Sequence, residues 1–376
     1  MKIQKRCLVE DLPEDIVIAI LSRLPVKSVV RCMCVCKKWS SLINANKTHL
    51  INAHLQQSSA TKLSIIVGFD IRLALPKLLL LSDETIVKDL QVPELADKVR
   101  HVNVVNTSVV VGSCNGLVCF NLSDDYTSIL LWNPATRVVR KLPEPMSLIK
   151  QGRRGHVFHL SFGFDHINKD YKLVRVVENT SIWELRVQIY TESSDSWKEV
   201  NGISGYRMVP FCFVILNGVL YLLGKNNRKR DDHEINLKDC ILTFNLCREE
   251  FQEILELPRK SECFQFLKWK ESFAVVESML DEFVHNFWIM NNDGSKYSWT
   301  KLFKINSYVR DNPFYLIGTW KNKLIFRTQE PYDRVCTGDR ELILVDVNNN
   351  QTTIRKCSPS EAYIYTFDYV ETLVPV

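Results

Sequence analysis

The sequence predicts an α+β multidomain protein in which a small module of three short helices precedes an all-β propeller of about six blades. Three observations lead to this prediction. Apolar residues recur at helical spacing in the first fifty positions. Further along, short runs rich in Val, Ile, Leu and aromatic residues alternate with Asn, Asp, Gly and Ser turns. Similar turn and strand segments return at intervals of about fifty residues.

Asp11-Leu-Pro-Glu-Asp is expected to open the first helix. Asp11 can serve as the N-cap, Pro13 suits the first turn, and the acidic pair Glu14 and Asp15 favours the positive end of the helix dipole. Leu24-Pro25 ends it. Its apolar residues are Ile16, Val17, Ile20, Leu21 and Leu24. A second helix is predicted over about 27–36 and a third around Trp39, Leu42 and Ile43. So small a module cannot bury all these side chains. The surplus apolar face therefore serves either a partner protein or packing against the chain's own C-terminal domain.

The net charge of the chain is confined to its N-terminal region, the same region in which apolar residues recur at helical spacing. Residues 1–55 contain nine basic and four acidic side chains, which accounts for the whole formal charge of +5. The remainder is neutral, so no concentrated basic face indicates nucleic acid. Polar residues at 56–61 are typical of a linker. We therefore predict a helical domain over 1–55 and a propeller over 56–376.

The repeat consists of a polar turn followed by an apolar strand. It begins at Asn115, Lys169, Asn217, Lys270 and Lys321, and one more interval back leads to Lys62. Each copy is followed by a second strand, a polar turn and an outgoing strand, and this four-stranded unit has the period of kelch-like blades. The final strand, 363–374, is expected to pair with the first blade and close the ring. The alternative is a β-sandwich whose hairpins happen to be evenly spaced.

The N-terminal pattern resembles an F-box over its full length, from Leu12-Pro13-Glu14-Asp15 through Ile20-Leu21-Ser22-Arg23-Leu24-Pro25 to Val35-Cys36-Lys37-Lys38-Trp39. The resemblance implies binding to a Skp-type adaptor, and through it to a cullin scaffold. The positions that correspond to adaptor-facing or motif-core residues are Leu12, Pro13, Ile16, Ile20, Leu21, Leu24, Pro25, Val29, Val35 and Trp39.

The rest of the chain is similar to the F-box-associated domain of the large plant F-box family. The matching segments are Gly112-Ser-Cys-Asn-Gly-Leu-Val-Cys, Leu131-Trp-Asn-Pro-Ala-Thr-Arg, Phe162-Gly-Phe-Asp, Asp170-Tyr-Lys-Leu-Val-Arg, the stretch from Val187 to Ser196-Trp-Lys and the ending Tyr369-Val-Glu-Thr-Leu-Val. S-locus F-box proteins and defence regulators belong to this family, and the shared residues do not separate these branches.

No catalytic constellation is evident in the sequence, and no cofactor or metal is expected. Cys32, Cys34 and Cys36 alternate along a helix and therefore point to different sides, so packing explains them better than zinc does. His156 and His159, next to Arg153 and Arg154, are interpreted as part of a basic loop, solvated or binding an anion. P-loop, dinucleotide and nucleophile-elbow patterns are absent.

The leading hypothesis is a non-catalytic substrate receptor of an SCF-type ubiquitin ligase, acting in the cytoplasm or nucleus and binding neither nucleic acid nor membrane. Its protein target would bind propeller loops such as 146–159, 226–238 and 330–339, while the target's identity and pathway are not encoded in a recognisable motif. Two alternatives remain: a propeller oxidoreductase with a Tyr, His and Cys metal site, and an interaction propeller unconnected with a ligase.

Overall fold

A computed structural model describes most of the chain. The described residues are 13–35, 37–45, 47–58, 63–70, 75–82, 85–90, 110–122, 126–146, 156–228, 236–258, 263–279, 282, 284–292, 297–306, 308–309, 312–320, 323–328, 341–348, 352–356 and 361–376.

Four helices open the described chain: α1 (Glu14–Leu21), α2 (Val26–Met33), α3 (Lys37–Ala45) and α4 (Lys47–Ser58). The first three confirm the sequence prediction. Pro13 and Pro25 are the N-cap residues of α1 and α2, with a φ of −54° and an extended ψ of 144°, and their carbonyls accept hydrogen bonds from the amides of Val17 and Val29 in the first helical turn. None of these helices is long and apolar enough to cross a membrane.

Helix α4 was not predicted, and it corrects the expected linker, since residues 56–58 belong to its last turn. The pattern was missed because α4 has a mostly polar composition. Its apolar residues nevertheless pack on both sides: Leu50 is buried in a core shared with α1, α2 and α3, whereas Ile51 and Leu55 contact a core cluster of the propeller. These tertiary contacts stabilise a helix that local propensity alone leaves marginal.

Twenty-five strands follow in the described part of the chain. They are β1 (Leu63–Asp70), β2 (Leu75–Ser82), β3 (Thr85–Leu90), β4 (Val110–Cys114), β5 (Leu117–Asn121), β6 (Ile129–Asn133), β7 (Val138–Lys141), β8 (His156–Asp165), β9 (Asp170–Asn179), β10 (Glu184–Thr191), β11 (Ser196–Ser204), β12 (Tyr206–Leu216), β13 (Val219–Arg228), β14 (Asn236–Asn245), β15 (Glu250–Leu255), β16 (Phe264–Trp269), β17 (Ser272–Met279), β18 (Val284–Asn292), β19 (Tyr297–Asn306), β20 (Tyr308–Val309), β21 (Asn312–Trp320), β22 (Lys323–Thr328), β23 (Glu341–Asp346), β24 (Thr352–Lys356) and β25 (Glu361–Tyr369).

These strands form six antiparallel sheets, ordered β25-β1-β2-β3, β4-β5-β6-β7, β8-β9-β10-β11, β12-β13-β14-β15, β16-β17-β18-β19 and β20-β21-β22-β23-β24. One strand of each sheet contacts its counterparts in the two neighbouring sheets, and these contacts close a ring through β25, β4, β8, β12, β16 and β21. The sheets are therefore the blades of a propeller, and the predicted architecture of short helices followed by an all-β propeller is confirmed.

Closure of the ring joins the two ends of the propeller within one blade. Strand β25 pairs antiparallel with β1, from Leu63 opposite Tyr369 to Asp70 opposite Glu361. This pairing confirms the predicted closure and covers an edge that would otherwise expose unpaired backbone groups. The strand ends at Tyr369, earlier than expected, and residues 370–376 continue without regular structure.

The repeated polar turns link the innermost strand of a blade to the second. Asn115 and Gly116 have φ values of 49° and 82°, and Asn217 and Gly218 have values of 50° and 75°. Two consecutive residues with positive φ are typical of tight hairpin turns, which favour Asn-Gly. Because hairpin turns alternate between the ends of a sheet, these turns lie at one end of the ring, the lower face. Turns between second and third strands, such as 180–183, lie at the other end, the upper face.

Two loop predictions were wrong in part. His156 and His159, expected in a basic loop, lie in β8, where they pair with Asn179 and Val176. The expected loop at 226–238 is shorter, because β13 extends to Arg228 and β14 begins at Asn236, and these strands pair along their full length. Arg153, Arg154 and the loop at 330–339 lie outside the described residues.

Candidate functional site: interaction surfaces at opposite faces

The helical module has its own buried core. Val17, Ile18, Leu21, Val29, Ile43 and Leu50 are each at most 4% exposed and pack together. Leu21 and Val29 were predicted as adaptor-facing or motif-core residues, and the structure places both in the core. Leu24 and Trp39 are half-buried against the same cluster. These four positions therefore stabilise the module.

A second set of apolar residues points outward. Ile16 is 48% exposed, Ile20 47% and Val35 71%, while Pro13 and Pro25 are also exposed. Val30, which was not among the predicted contact residues, joins them at 38%. Helix α1 is thus apolar on two sides, one for the core and one for solvent. We call Pro13, Ile16, Ile20, Pro25, Val30 and Val35 the exposed apolar set; Leu12 lies outside the described residues.

Large aliphatic side chains are usually buried, so several of them exposed within one small module are typical of a protein-binding surface. Charged residues surround this set: Arg23, Lys27, Arg31 and Lys37 are exposed on the basic side, with Glu14 and Asp15 at the start of α1. A partner with an apolar groove and an acidic margin would complement this arrangement.

The helical module packs against the lower face of the propeller. Leu373, beyond the last strand, contacts the core of the module, and Ile51 and Leu55 of α4 contact the cluster between the β4–β7 and β8–β11 blades. His54 is buried, and its Nε2 lies 3.0 Å from the main-chain oxygen of Leu24. The upper face is therefore the end of the propeller turned away from the module.

The upper face carries an aromatic and cationic patch at the junction of two blades. The Arg207 guanidinium lies 5.1 Å from the centre of the Trp183 ring, and its Nε donates to the buried Glu178 carboxylate at 2.8 Å. Ile182, directly before Trp183, is 59% exposed. Trp183 itself has a φ of 55°, uncommon for an aromatic residue and frequent at binding sites. We call Ile182, Trp183 and Arg207 the upper patch.

A cavity of about 600 Å³ follows the propeller axis between the innermost strands. Its lining includes His159, whose Nε2 lies 2.5 Å from Ser161 Oγ. Burial lowers the pKa of His159 to about 3, so its imidazole is neutral. Cys114 lines the same cavity, and burial raises the pKa of its thiol to about 12, despite the opposing charge of Lys268. Neither group is prepared for acid–base or nucleophilic chemistry at neutral pH.

The cysteines of the helical module lie in different environments. Cys32 packs against the buried core, while Cys34 is exposed and its thiol donates to the Val30 carbonyl at 3.7 Å. This agrees with the expectation that alternate helical positions point apart. Within the described residues, no group of three or more His, Cys, Asp or Glu side chains is placed to hold a metal ion. Cys36 is not among those residues.

Two known protein families match the two parts of the chain separately. The F-box domain family matches residues 9–50, and the F-box associated beta propeller domain family matches residues 65–376. The chain is 29% identical to F-box protein At3g07870 of Arabidopsis thaliana, over 83% of this chain and 78% of that protein. From the same plant, F-box protein CPR1 is 26% identical over 90% and 80%. F-box/kelch-repeat protein At3g23880, also from Arabidopsis thaliana, is 26% identical over 78% and 79%.

Proposed function

Because this chain belongs to the F-box proteins that carry an F-box-associated β-propeller domain, we propose that it is the target-recognition subunit of an SCF-type ubiquitin ligase. In this proposal, the exposed apolar set binds a Skp-type adaptor that connects to a cullin scaffold. The propeller binds a protein target, which is ubiquitinated and degraded by the proteasome. The subunit acts in the cytoplasm or nucleus.

The observation that carries the proposal is the placement of the two surfaces. The exposed apolar set lies on the module that packs against the lower face, whereas the upper patch lies at the other end of the propeller. A target on the upper face and an adaptor on the helices therefore do not compete for space.

The receptor contributes geometry to the reaction. The receptor holds a lysine of the target in the same complex as the ubiquitin-loaded conjugating enzyme, so their encounter becomes intramolecular. The effective concentration is then in about the millimolar range when the linking segments match the distance between the two sites. No nucleophile or general base of the receptor is needed for this effect, and bond making and breaking belong to the other components.

Adaptor binding is tested by co-purifying the full chain with a Skp-type adaptor. We expect Ile16→Asp and Ile20→Asp to abolish the complex, because a carboxylate replaces an apolar contact. Ile167→Asp is the matched control, since Ile167 is 76% exposed in the turn after β8 of the propeller. Failure of the wild-type chain to bind the adaptor would contradict the ligase role and favour an interaction propeller of another kind.

Target recognition is tested with an inventory of bound proteins. Proteins captured by the wild-type chain should be lost with Ile182→Asp or Arg207→Glu and kept with Ile167→Asp. Residues with aromatic rings and guanidinium groups dominate binding energy in many protein interfaces. Equal capture by all three variants would show that the target binds elsewhere on the propeller.

A further inference from the structure

The segment that follows the last strand lies between the helical module and the propeller. Thr372 and Val374 are 0% and 5% exposed although they belong to no strand or helix. The Val374 amide donates to Thr372 Oγ1 at 3.1 Å, which gives the segment a compact local conformation. We call residues 370–376 the C-terminal segment.

Asn133 at the end of β6 binds this segment through its side-chain amide. Its Nδ2 donates to the main-chain oxygens of Thr372 at 3.1 Å and of Val374 at 2.7 Å. Its Oδ1 accepts from the amides of Ala135 and Thr136 and so shapes the turn after β6. Asn133 is 0% exposed, and hydrogen bonds in such a position are costly to break because the freed groups find no water.

The C-terminal segment also lies directly against Gly116, where the absence of a side chain leaves room for it. A Cβ atom at this position would lie 2.3 Å from the Val370 carbonyl oxygen and 2.4 Å from Thr372 Cγ2. Its φ of 82° also favours glycine. The Asn-Gly turn and the Trp-Asn-Pro-Ala-Thr-Arg segment, which were two separate signals in the sequence, thus meet at the C-terminal segment.

The side chains of the segment alternate between the two domains. Leu373 contacts the helical core formed by residues such as Leu21 and Leu50. Val374 and Val376 contact the propeller cluster between the β4–β7 and β8–β11 blades, which Ile51 and Leu55 of α4 also contact. The helical module, two blades of the propeller and the C-terminal segment therefore share one continuous set of apolar contacts.

We propose that the C-terminal segment positions the helical module on the propeller, and that Asn133 is the positioning residue that holds the segment in place. The adaptor-binding helices and the upper face then form one unit with a constant geometry. This inference rests on the proposed function for its biological consequence, a constant distance between adaptor and target. The positioning itself is independent of any ligase activity.

The test is hydrogen–deuterium exchange of the full chain with Asn133→Asp. Aspartate keeps the oxygen that accepts from Ala135 and Thr136 but removes both donated hydrogen bonds to the segment. We expect exchange in residues 14–58 and 370–376 to accelerate about tenfold, the effect of losing buried hydrogen bonds on an opening equilibrium. Exchange in the β12–β15 and β16–β19 blades should remain as in the wild type.

Asn245→Asp is the matched control. Asn245 ends the third strand of its own blade, and its Oδ1 accepts from the amides of Cys247 and Arg248 in the same way. Its Nδ2 donates to the Gln252 side chain at 3.2 Å and not to the C-terminal segment. This variant should change exchange only within its own blade. Acceleration in residues 14–58 by Asn245→Asp would overturn the proposal.

A second variant separates positioning from folding. Leu373→Ala removes the contact with the helical core while leaving the Asn133 hydrogen bonds, so exchange should increase in residues 14–58 and remain slow in 370–376. Unchanged exchange in the helices of both Asn133→Asp and Leu373→Ala would overturn the proposal, as would equal acceleration across all blades. If the wild-type chain does not bind the adaptor, the ligase role is contradicted, but these exchange results are unaffected.

Discussion

Lys172 Nζ lies 2.9 Å from Asp165 Oδ2, and both side chains are almost completely buried, at 4% and 0% exposure. Lys172 also donates to the Leu246 carbonyl at 2.7 Å and to Glu249 at 3.0 Å, both in the neighbouring blade. Burial raises the pKa of Asp165, but hydrogen bonds from Asn168 and Lys172 outweigh it and hold this pKa at about 2. The ammonium group thus connects two blades at the lower face.

Removing the cation should destabilise the propeller strongly. We expect Lys172→Met to lower the free energy of unfolding by about 3–5 kcal/mol, because Asp165 is left buried and charged without its partner. Urea denaturation measures the loss. Lys141→Met is the control, since Lys141 and Glu144 form an exposed pair at 3.2 Å, and exposed pairs contribute at most about 1 kcal/mol. Equal losses in the two variants would contradict the assigned role of Lys172.

The stability of the chain should depend on His159 in moderately acidic solution. Its pKa is about 3 in the folded protein because of burial, and about 6.5 in an unfolded chain. Between these values the unfolded state binds one more proton, so stability falls as the pH decreases from 6.5 towards 3, by up to about 1.4 kcal/mol per pH unit. His159→Gln should reduce this slope. Thermal unfolding across the pH range gives the comparison.

Truncating two adjacent residues of α1 should affect two different properties, stability for Leu21 and adaptor binding for Ile20. Leu21 is 0% exposed, and Leu21→Ala should cost about 2–5 kcal/mol of stability through the cavity it creates. Ile20 is 47% exposed, and Ile20→Ala should change stability by less than about 0.5 kcal/mol. Adaptor affinity should decrease with Ile20→Ala at unchanged stability. Calorimetry and a binding titration of the same samples distinguish the two roles; a strongly destabilised Ile20→Ala would contradict them.

Deletion at the predicted domain boundary should affect the propeller. Removing residues 1–55 deletes Ile51 and Leu55 and exposes the cluster they cover, so the propeller should lose on the order of 1–3 kcal/mol. Removing residues 1–46 retains α4 and should cost the propeller less. Thermal unfolding of both variants provides the measurement, and identical midpoints would show that α4 does not stabilise the propeller.

The repeats were predictable because each is local. The turns at Asn115, Lys169, Asn217 and Lys270 all have a positive φ and each leads into an apolar strand, so the pattern of polar turn and apolar strand returns at regular intervals. Helix α4 and strand β8 were harder to predict. Polar or basic residues interrupt the hydrophobic periodicity that would indicate a helix or a strand there. His159 lies in a strand because it pairs with Val176 and is buried next to Phe213.

The sequence alone determined the order of the two domains, the spacing of the blades, the closing strand and the family resemblance, since these depend on local periodicity and short motifs. Tertiary structure decided which apolar residues of α1 are buried: Leu21 is in the core, whereas Ile20, the residue before it, is exposed. It also decided that Asn133 binds residues 372 and 374, and that the helices lie on the lower face. The burial of Leu21 depends on packing between separate helices, and the contacts of Asn133 and Leu373 join segments more than two hundred residues apart. No local pattern encodes such contacts.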